Sequence, residues 1–314
     1  MRTRKLGNNG PELTVVGFGA WAIGGPWEFG WGPVDDSASV NAIRRAIDLG
    51  INWIDTAAVY GLGHSEEMVA RALEGTRDKV FIATKCGMVW DGGKKVRVHL
   101  GPDSIRTEIE NSLRRLNTDY IDLYQFHWPD PLTPVEESWA VMLKLKEEGK
   151  VRFVGVSNFD VPLLKRCTAL GTVQSLQPPY NLLKREVERE ILPYCLENGI
   201  GVVAYSPMMS GLLSGKFDID RVARDDWRRK DEMFQEPRLS KEIVFIEKLR
   251  PIAAKYGKTV GQLSIAWVNM NPAVTSSIVG ARNIPQVEDN FGADFEIDKD
   301  DLQKIDRALK DTIG

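Results

Sequence analysis

Four side chains with complementary chemistry stand at, or shortly after, the ends of apolar segments of this sequence. Asp55 ends the segment INWID, Lys85 ends VFIATK, His127 ends DLYQFH, and Tyr60 follows Asp55 by five residues. If these ends meet, a lysine ammonium about 4 Å from the Tyr60 hydroxyl would favour the phenolate by roughly 4 kcal/mol at an effective dielectric of 20. That is about three pK units below a phenol pKa near 10, so the set indicates a tyrosine that donates a proton near neutrality.

Each of these residues also has an ordinary structural explanation. Asp55 and Tyr60 could cap and pack a turn, Asp55 and Lys85 could form a buried ion pair, and a single histidine at a strand end is commonly a core residue. A lysine alone could form a Schiff base, but a neighbouring aspartate favours its charged form. His127 beside Tyr60 could instead orient a carbonyl group.

The set offers a proton donor without a nucleophile. His127 and Tyr60 belong to no carboxylate pair or metal-ligand spacing, so neither glycoside hydrolysis nor a metal site is indicated. A proton donor directed at a carbonyl still needs a source of electrons, and a bound cofactor can supply them as hydride.

The segments that carry these residues alternate between strand and helix patterns. Apolar, β-prone segments predict strands over residues 15–19, 52–55, 80–85, 121–127, 151–157, 173–177, 200–205 and 276–279. Amphipathic patterns predict helices over residues 37–49, 65–73, 102–116, 134–148, 161–169, 186–197, 241–256, 285–291 and 299–310. A β-hairpin is expected within residues 3–15, ahead of the first of these strands.

Eight apolar strands separated by helices suit a parallel sheet that is buried on both faces and closes into a (β/α)₈ barrel. An open, doubly wound sheet is the alternative. It is disfavoured because GFGAWAIGG, after the first strand, leads into a long aromatic loop and not into a tight phosphate-binding turn. In a barrel, the predicted chemistry would lie at the carboxyl ends of the strands.

The composition and net charge of the chain limit the classes of function that we expect for it. The chain has 314 residues, 43% of them hydrophobic, and we expect residues 1–314 to form a single barrel domain. A net charge of −3, from 41 basic and 44 acidic residues, does not favour nucleic acid or an anionic membrane as partner. Three widely spaced cysteines, Cys86, Cys167 and Cys195, and the lack of a run of ~18 apolar residues favour a cytoplasmic protein.

The sequence resembles the aldo-keto reductases from the N-terminal hairpin to the last helix, and is most similar to the bacterial branch with general-stress and inositol-locus reductases. The motifs that carry this resemblance are GINWIDTA, YGLGHSE, DLYQFHWPD, GVSNF, YSPMMSGLLSGK and VGARNIPQVEDN. The resemblance implies a (β/α)₈ barrel whose bottom is plugged by the hairpin. It also implies that Tyr60 is the general acid, that Lys85 and Asp55 tune it, and that His127 orients the carbonyl.

The resemblance further implies a set of residues that bind a nicotinamide dinucleotide. Ser157, Asn158 and Gln177 match the groups that hold the carboxamide, and Tyr205 matches the aromatic that stacks on the nicotinamide ring. The loop around the pyrophosphate is matched by Ser206, Met208, Gly211 and Leu212, with Lys216 nearby. The adenosine end is matched by Gly280, Arg282, Gln286 and Asn290.

The residues of this sequence that match the binding site for the adenosine end depart from the pattern of many reductases. They carry a lysine and a serine or threonine where this sequence has Gly280 and Ala281, so Arg282 is left as the main cation for a 2′-phosphate. An arginine fork suits phosphate, so NADPH is the expected cofactor, with NADH possible.

Five tryptophans fall in loops on the predicted strand-exit side, namely Trp21, Trp27, Trp31, Trp90 and Trp128. We expect them to form an aromatic pocket, with Trp21, Trp90 and Trp128 as substrate contacts. The charged segment 217–237, with Phe217, Trp227 and Phe234, is a predicted lid.

The expected function is NADPH-dependent reduction of a small aldehyde or ketone. The alternatives are a dinucleotide-binding regulatory subunit with little turnover and a cofactor-independent barrel lyase or isomerase.

Overall fold

The computed structural model describes residues 1–224 and 226–313, and the described part contains a closed barrel of eight parallel strands. In chain order the barrel strands are β3 (Val16–Gly19), β4 (Trp53–Asp55), β5 (Phe81–Cys86), β8 (Ile121–Phe126), β9 (Val151–Ser157), β10 (Ser175–Gln177), β11 (Gly201–Ala204) and β12 (Val274–Gly280). β12 pairs with β3 through Ser277 and Val16, which closes the barrel. The prediction of a (β/α)₈ barrel is confirmed, and the open sheet is wrong.

Helices surround the barrel because each crossover must return the chain to the start of the next parallel strand. They are α1 (Asp36–Asp48), α2 (His64–Ala72), α3 (Pro102–Leu116), α4 (Val135–Glu147), α5 (Val161–Thr168), α6 (Ile191–Glu197), α7 (Arg238–Lys255), α8 (Val260–Met270), α9 (Ile284–Phe291) and α10 (Lys299–Thr312). The apolar faces of these helices and the outward side chains of the strands form one large core between the two layers.

The predicted N-terminal hairpin is present and lies across the bottom of the barrel. Its strands are β1 (Thr3–Lys5) and β2 (Glu12–Thr14). Leu6 and Leu13 are buried against Trp53 and other inward-facing residues of the barrel strands, and the Trp53 indole donates to the Thr14 carbonyl over 3.1 Å. The hairpin thus closes the end of the barrel opposite the ends of the strands that carry Asp55 and Lys85.

Two elements of the structure were not predicted. A second hairpin, formed by β6 (Met88–Trp90) and β7 (Val96–Val98), follows β5. Helix α8 is also additional, and nearly every side of it is buried, so its sequence lacks an amphipathic period. In addition, predicted helix 186–197 is a short 3₁₀ turn, Glu186–Glu188, followed by α6.

Candidate active site

The ends of three neighbouring strands bring together the residues that the sequence singled out. β4 ends at Asp55 and pairs with β5, which carries Lys85, while β8 beside it is followed directly by His127. Tyr60 begins the 3₁₀ turn Tyr60–Gly63 after β4. Gly61 has φ +63°, and a Cβ there would lie 1.7 Å from the Gly24 carbonyl oxygen, so this turn requires glycine.

Lys85 is buried at the centre of a polar cluster. Its Nζ donates to Asp55 Oδ2 over 2.6 Å, to the Thr56 carbonyl over 2.9 Å and to the Tyr60 hydroxyl over 3.3 Å. These three acceptors match the three N–H donors of an ammonium group, so the geometry suits the charged form. Burial lowers the pKa of Lys85, while Asp55 raises it.

Asp55 is held from both sides. Its Oδ2 accepts from Lys85, and its Oδ1 accepts from Gln177 Nε2 over 2.8 Å. Burial raises the pKa of the Asp55 carboxyl, and both hydrogen-bond donors oppose that shift. The buried pair is therefore stable only as a unit, because either partner alone would be an uncompensated charge.

Tyr60 has a pKa well above its ordinary value because its hydroxyl is buried, and the Asp55 charge raises it further. The expectation of a phenol tuned toward neutrality is wrong for this structure. The error lies in the desolvation of the phenolate, which the Coulomb argument from Lys85 left out. Tyr60 is therefore fully protonated at neutral pH and available as a proton donor.

His127 faces Tyr60 across the site, with their ring centroids 5.6 Å apart and the rings nearly perpendicular. The imidazole keeps some contact with the cavity, but burial and the charge of Lys85 lower the pKa of His127 well below its ordinary value. A neutral imidazole has one N–H to donate, which suits a hydrogen bond to a carbonyl oxygen.

A buried carboxylate that the sequence analysis missed supports this cluster from behind. Glu66, on α2, accepts from Thr84 Oγ1 and from Arg115 Nε, each over 2.7 Å, and its charge favours the ammonium form of Lys85. Thr84 precedes Lys85 on β5, so Glu66 joins the helix after the Tyr60 turn to the strand that carries Lys85. The signal in the sequence was a Glu one turn into an amphipathic helix, which is usually an exposed residue.

A cavity of about 860 Å³ opens above these residues at the carboxyl ends of the strands. Asp55, Tyr60 and His127 lie in its wall, while Lys85 is below the surface. Of the predicted dinucleotide-binding residues, those that line the same cavity are Ser157, Asn158, Gln177, Tyr205, Ser206, Met208, Gly211, Lys216, Gly280, Arg282, Gln286 and Asn290.

Leu212 is an exception. It is completely buried in the main core and does not line the cavity, so only its neighbours in the loop can face a ligand through their side chains. The loop is unusual in its backbone: Ser206, Met209 and Ser210 have φ values of +55°, +50° and +51°, and Gly211 has +95°. Residues other than glycine adopt this region at a cost, and such turns often direct amide groups toward an anion.

The region below Tyr205 is a connected hydrogen-bond network. The Tyr205 hydroxyl donates to Asn158 Oδ1 over 2.9 Å, and Asn158 Nδ2 donates to the His127 carbonyl and to Ser157 Oγ, each over 3.0 Å. The Ser157 hydroxyl donates to the Gln177 carbonyl over 2.8 Å. These contacts connect four successive strand ends through the side chains of Ser157, Asn158 and Tyr205.

The predicted aromatic pocket is present, with one correction. Trp21, Trp27, Trp31 and Trp128 line the cavity. Trp90 does not line it; it lies on the second hairpin and packs against the apolar cluster around Tyr60, while Met88 of the same hairpin reaches the cavity.

The predicted lid segment contributes Trp227 and Arg228 to the cavity wall. Phe217 and Phe234 instead pack behind it, with their ring centroids 5.3 Å apart. Further lining residues that the sequence analysis missed are Phe29, Ser210, Ser214, Thr259, Gln262 and Asp289. Thr259 and Gln262 form the capping box of α8, and that S/T-x-x-E/Q signature was present in the sequence.

A large cavity at the carboxyl ends of a (β/α)₈ barrel is where enzymes with this fold have their active site, so fold and site define a barrel enzyme. The family model "Aldo/keto reductase family" matches residues 15–310. The chain belongs to this family and is an NAD(P)H-dependent oxidoreductase of carbonyl compounds.

Individual relatives agree with this assignment. The chain is 40% identical to aldo-keto reductase YhdN of Bacillus subtilis (strain 168), over 100% of this chain and 95% of the relative. It is 37% identical to the NADH-specific methylglyoxal reductase of Escherichia coli (strain K12), over 93% of each. The solved glycerol dehydrogenase AKR11B4 of Gluconobacter oxydans superposes with a TM-score of 0.90 at 39% identity, over 99% of this chain and 95% of that structure.

Proposed function

We propose that this protein reduces a small aldehyde or ketone to the alcohol with NADPH as hydride donor and Tyr60 as the general acid. The observation that carries the proposal is Tyr60 in the cavity wall, with its hydroxyl 3.3 Å from Lys85 Nζ and its ring 5.6 Å from the His127 ring. The proposed unit is a single domain over residues 1–314, acting in the cytoplasm on a small molecule and not on nucleic acid. No helix in the described ranges 1–224 and 226–313 is long and apolar enough to cross a membrane.

The residues present fit a dinucleotide. The cavity extends from Tyr60 to α9, where Arg282 precedes the helix and Gln286 and Asn290 lie on it. Between these ends, the loop with left-handed residues from Ser206 to Gly211 offers the backbone geometry that binds anions. When bound, reduced nicotinamide supplies a hydride to the carbonyl carbon.

The protein's own residues would act on the carbonyl oxygen. The neutral His127 imidazole donates a hydrogen bond that orients the oxygen. Tyr60 then transfers its phenolic proton to the oxygen as negative charge develops there. Lys85 stabilises the resulting phenolate, and Asp55 keeps Lys85 in place. In this assignment Asp55 supports Lys85 and takes no part in proton transfer.

The preference for NADPH rests on Arg282, whose charge and planar fork suit a 2′-phosphate. NADH is the alternative cofactor, since a relative of 37% identity is named as NADH-specific. Substrate contacts would come from Trp21 and Trp128 in the cavity wall, while Trp90 would act through its packing near Tyr60.

Replacing Tyr60 by Phe tests the proposal. The ring is kept and the proton is lost, so kcat should fall by about 10² to 10⁴-fold on every member of an aldehyde and ketone panel, with NADPH affinity unchanged. Tyr124→Phe is the matched control, because Tyr124 is buried on β8 but does not line the cavity.

Turnover of the Tyr60→Phe variant near the wild-type rate would show that Tyr60 is not the acid. Tight NADPH binding by the wild-type protein without turnover of any carbonyl would favour the regulatory alternative.

A further inference from the structure

Trp31 lies where three segments of the cavity wall meet. Its indole packs edge-to-face on Trp21, with centroids 4.8 Å apart. Two arginines lie over the same indole: Arg228, from the lid segment, with Cζ 5.0 Å from the ring centroid, and Arg282, before α9, with Cζ 5.8 Å from it. The Trp31 carbonyl also accepts from Arg282 Nη1 over 3.4 Å.

The two arginines differ in their charge partners. Arg228 is neutralised, because it donates to both carboxylate oxygens of Asp226 and to the Ser210 carbonyl. Arg282 forms no salt bridge with any residue in the part of the chain that the structure describes, and its side chain contacts Trp31. The backbone amide of Arg282, in turn, donates to Gln286 Oε1 over 2.8 Å. Arg282 is therefore a charge held in position with donors left for an anion.

The nearby cation Lys216 is in a different situation. It is largely exposed and pairs with Asp289 over 3.3 Å. Gly280 and Ala281 carry no charge, so selective recognition of a phosphate at this end of the cavity would depend on Arg282. A guanidinium that is already ordered loses less conformational entropy when it binds a phosphate than a freely rotating one.

We propose that Trp31 is a positioning residue that holds Arg282 toward the 2′-phosphate of the cofactor and so sets the selectivity for NADPH over NADH. The inference rests on the proposed function, in which a dinucleotide occupies this cavity with its adenosine end at α9. It moves Trp31 from the expected substrate pocket to the cofactor end of the cavity.

Direct binding tests this role without any turnover. Affinities for NADPH, NADH, 2′,5′-ADP and 5′-ADP are measured by calorimetry for the wild type and for Trp31→Ala, Trp31→Phe and Arg282→Ala. The wild type should prefer the phosphorylated member of each pair. Trp31→Ala should lose about three- to fivefold of that preference, as expected for one cation–π contact, with NADH affinity unchanged.

Arg282→Ala should lose more of the preference, and Trp31→Phe, which keeps an aromatic ring under Arg282, should lose less than Trp31→Ala. Trp128→Ala, a change at a cavity tryptophan over which no arginine of residues 1–224 and 226–313 lies, should leave the preference as in the wild type. Thermal unfolding by circular dichroism establishes that each variant is folded.

Three results would overturn the inference. Equal loss of NADPH and NADH affinity in Trp31→Ala would mean a general packing role, and an unchanged preference in that variant beside a reduced one in Arg282→Ala would mean that Arg282 needs no support. A wild-type preference for NADH would remove the 2′-phosphate site while leaving carbonyl reduction intact. Failure of the proposed function is distinguishable, because the wild type would then either bind none of the four ligands or bind NADPH without turning over any carbonyl compound.

Discussion

Replacement of Lys85 by Met separates the structural contribution of this residue from its contribution to catalysis. The side chain is 1% exposed and satisfies Asp55, the Thr56 carbonyl and Tyr60 at once. Methionine fills a similar volume but leaves the Asp55 carboxylate without its charge partner. Removing one partner of a buried ion pair typically costs about 3–5 kcal/mol in the free energy of unfolding.

The sign of the pH dependence follows from Asp55. Burial raises the pKa of this carboxyl, and Lys85 is the largest opposing influence, so the pKa rises further in the variant. A carboxyl with a raised folded-state pKa binds more protons in the folded than in the unfolded state, so its ionisation destabilises the fold. The stability of Lys85→Met should therefore fall as pH rises above about 3.9, the ordinary pKa of an aspartate. Its deficit relative to the wild type should grow once the pH passes the folded-state pKa that Asp55 has beside Lys85.

The catalytic effect is worked from the Lys85–Tyr60 distance. A unit charge 3.3 Å from a developing phenolate is worth about 5 kcal/mol at an effective dielectric of 20. If this interaction acts fully in the transition state, kcat should fall by about 10³- to 10⁴-fold. Steady-state oxidation of NADPH with a reactive aldehyde measures this loss, and denaturant unfolding at several pH values measures the stability.

The double variant Asp55→Asn/Lys85→Met is the control. It carries no charge at either of these two positions, so it should recover most of the lost stability and the pH dependence of the wild type, but not the rate. Recovery of kcat together with stability would refute the reasoning, since Lys85 would then act only through folding. A single Lys85→Met variant that retains more than a tenth of kcat would refute the electrostatic argument directly.

Three further predictions concern other parts of the molecule. Burial raises the pKa of Glu108 to about 7, so stability should fall by up to about 3 kcal/mol as pH rises from about 4.5 to 7, and Glu108→Gln should remove that slope in unfolding experiments. Gly17→Ala places a Cβ 2.1 Å from the Trp53 ring and should lower the free energy of unfolding by about 3 kcal/mol, whereas Gly92→Ala, in open space, should not. Because the pKa of His127 is well below its ordinary value, NMR titration of its imidazole should show no protonation between about pH 6 and 8.

The fold could be predicted from the sequence where a segment is either a short apolar run between turns or a periodic pattern of apolar residues. The barrel strand Val151–Ser157 was predicted with its bounds because it is mostly apolar and β-prone, is buried on both faces from Val154 on, and is flanked by turns. Helix α8 was not predicted because it is buried on nearly all sides. The second hairpin was not predicted because its strands have only three residues each and are only half-buried. A periodic pattern of apolar residues appears only in elements that have one solvent-exposed face.

Site residues could be predicted from the sequence where a chemically active residue type ends a strand, as for Asp55 and His127. They could not be predicted where the role of a residue depends on packing between distant segments. Nothing near Trp31 in the sequence indicates that Arg228 and Arg282 meet over its ring. Glu66 likewise resembles an exposed helix residue until α3 supplies Arg115 and β5 supplies Thr84.

The raised pKa of Tyr60 changes how Lys85 contributes to the acid. A phenol tuned to neutrality would be partly ionised before the carbonyl is reduced, and that fraction would have no proton to give. In this structure burial keeps the phenol protonated, while the ammonium 3.3 Å away acts chiefly once phenolate charge appears. The interaction is thus stronger in the transition state than in the ground state, and only such a difference accelerates the chemical step.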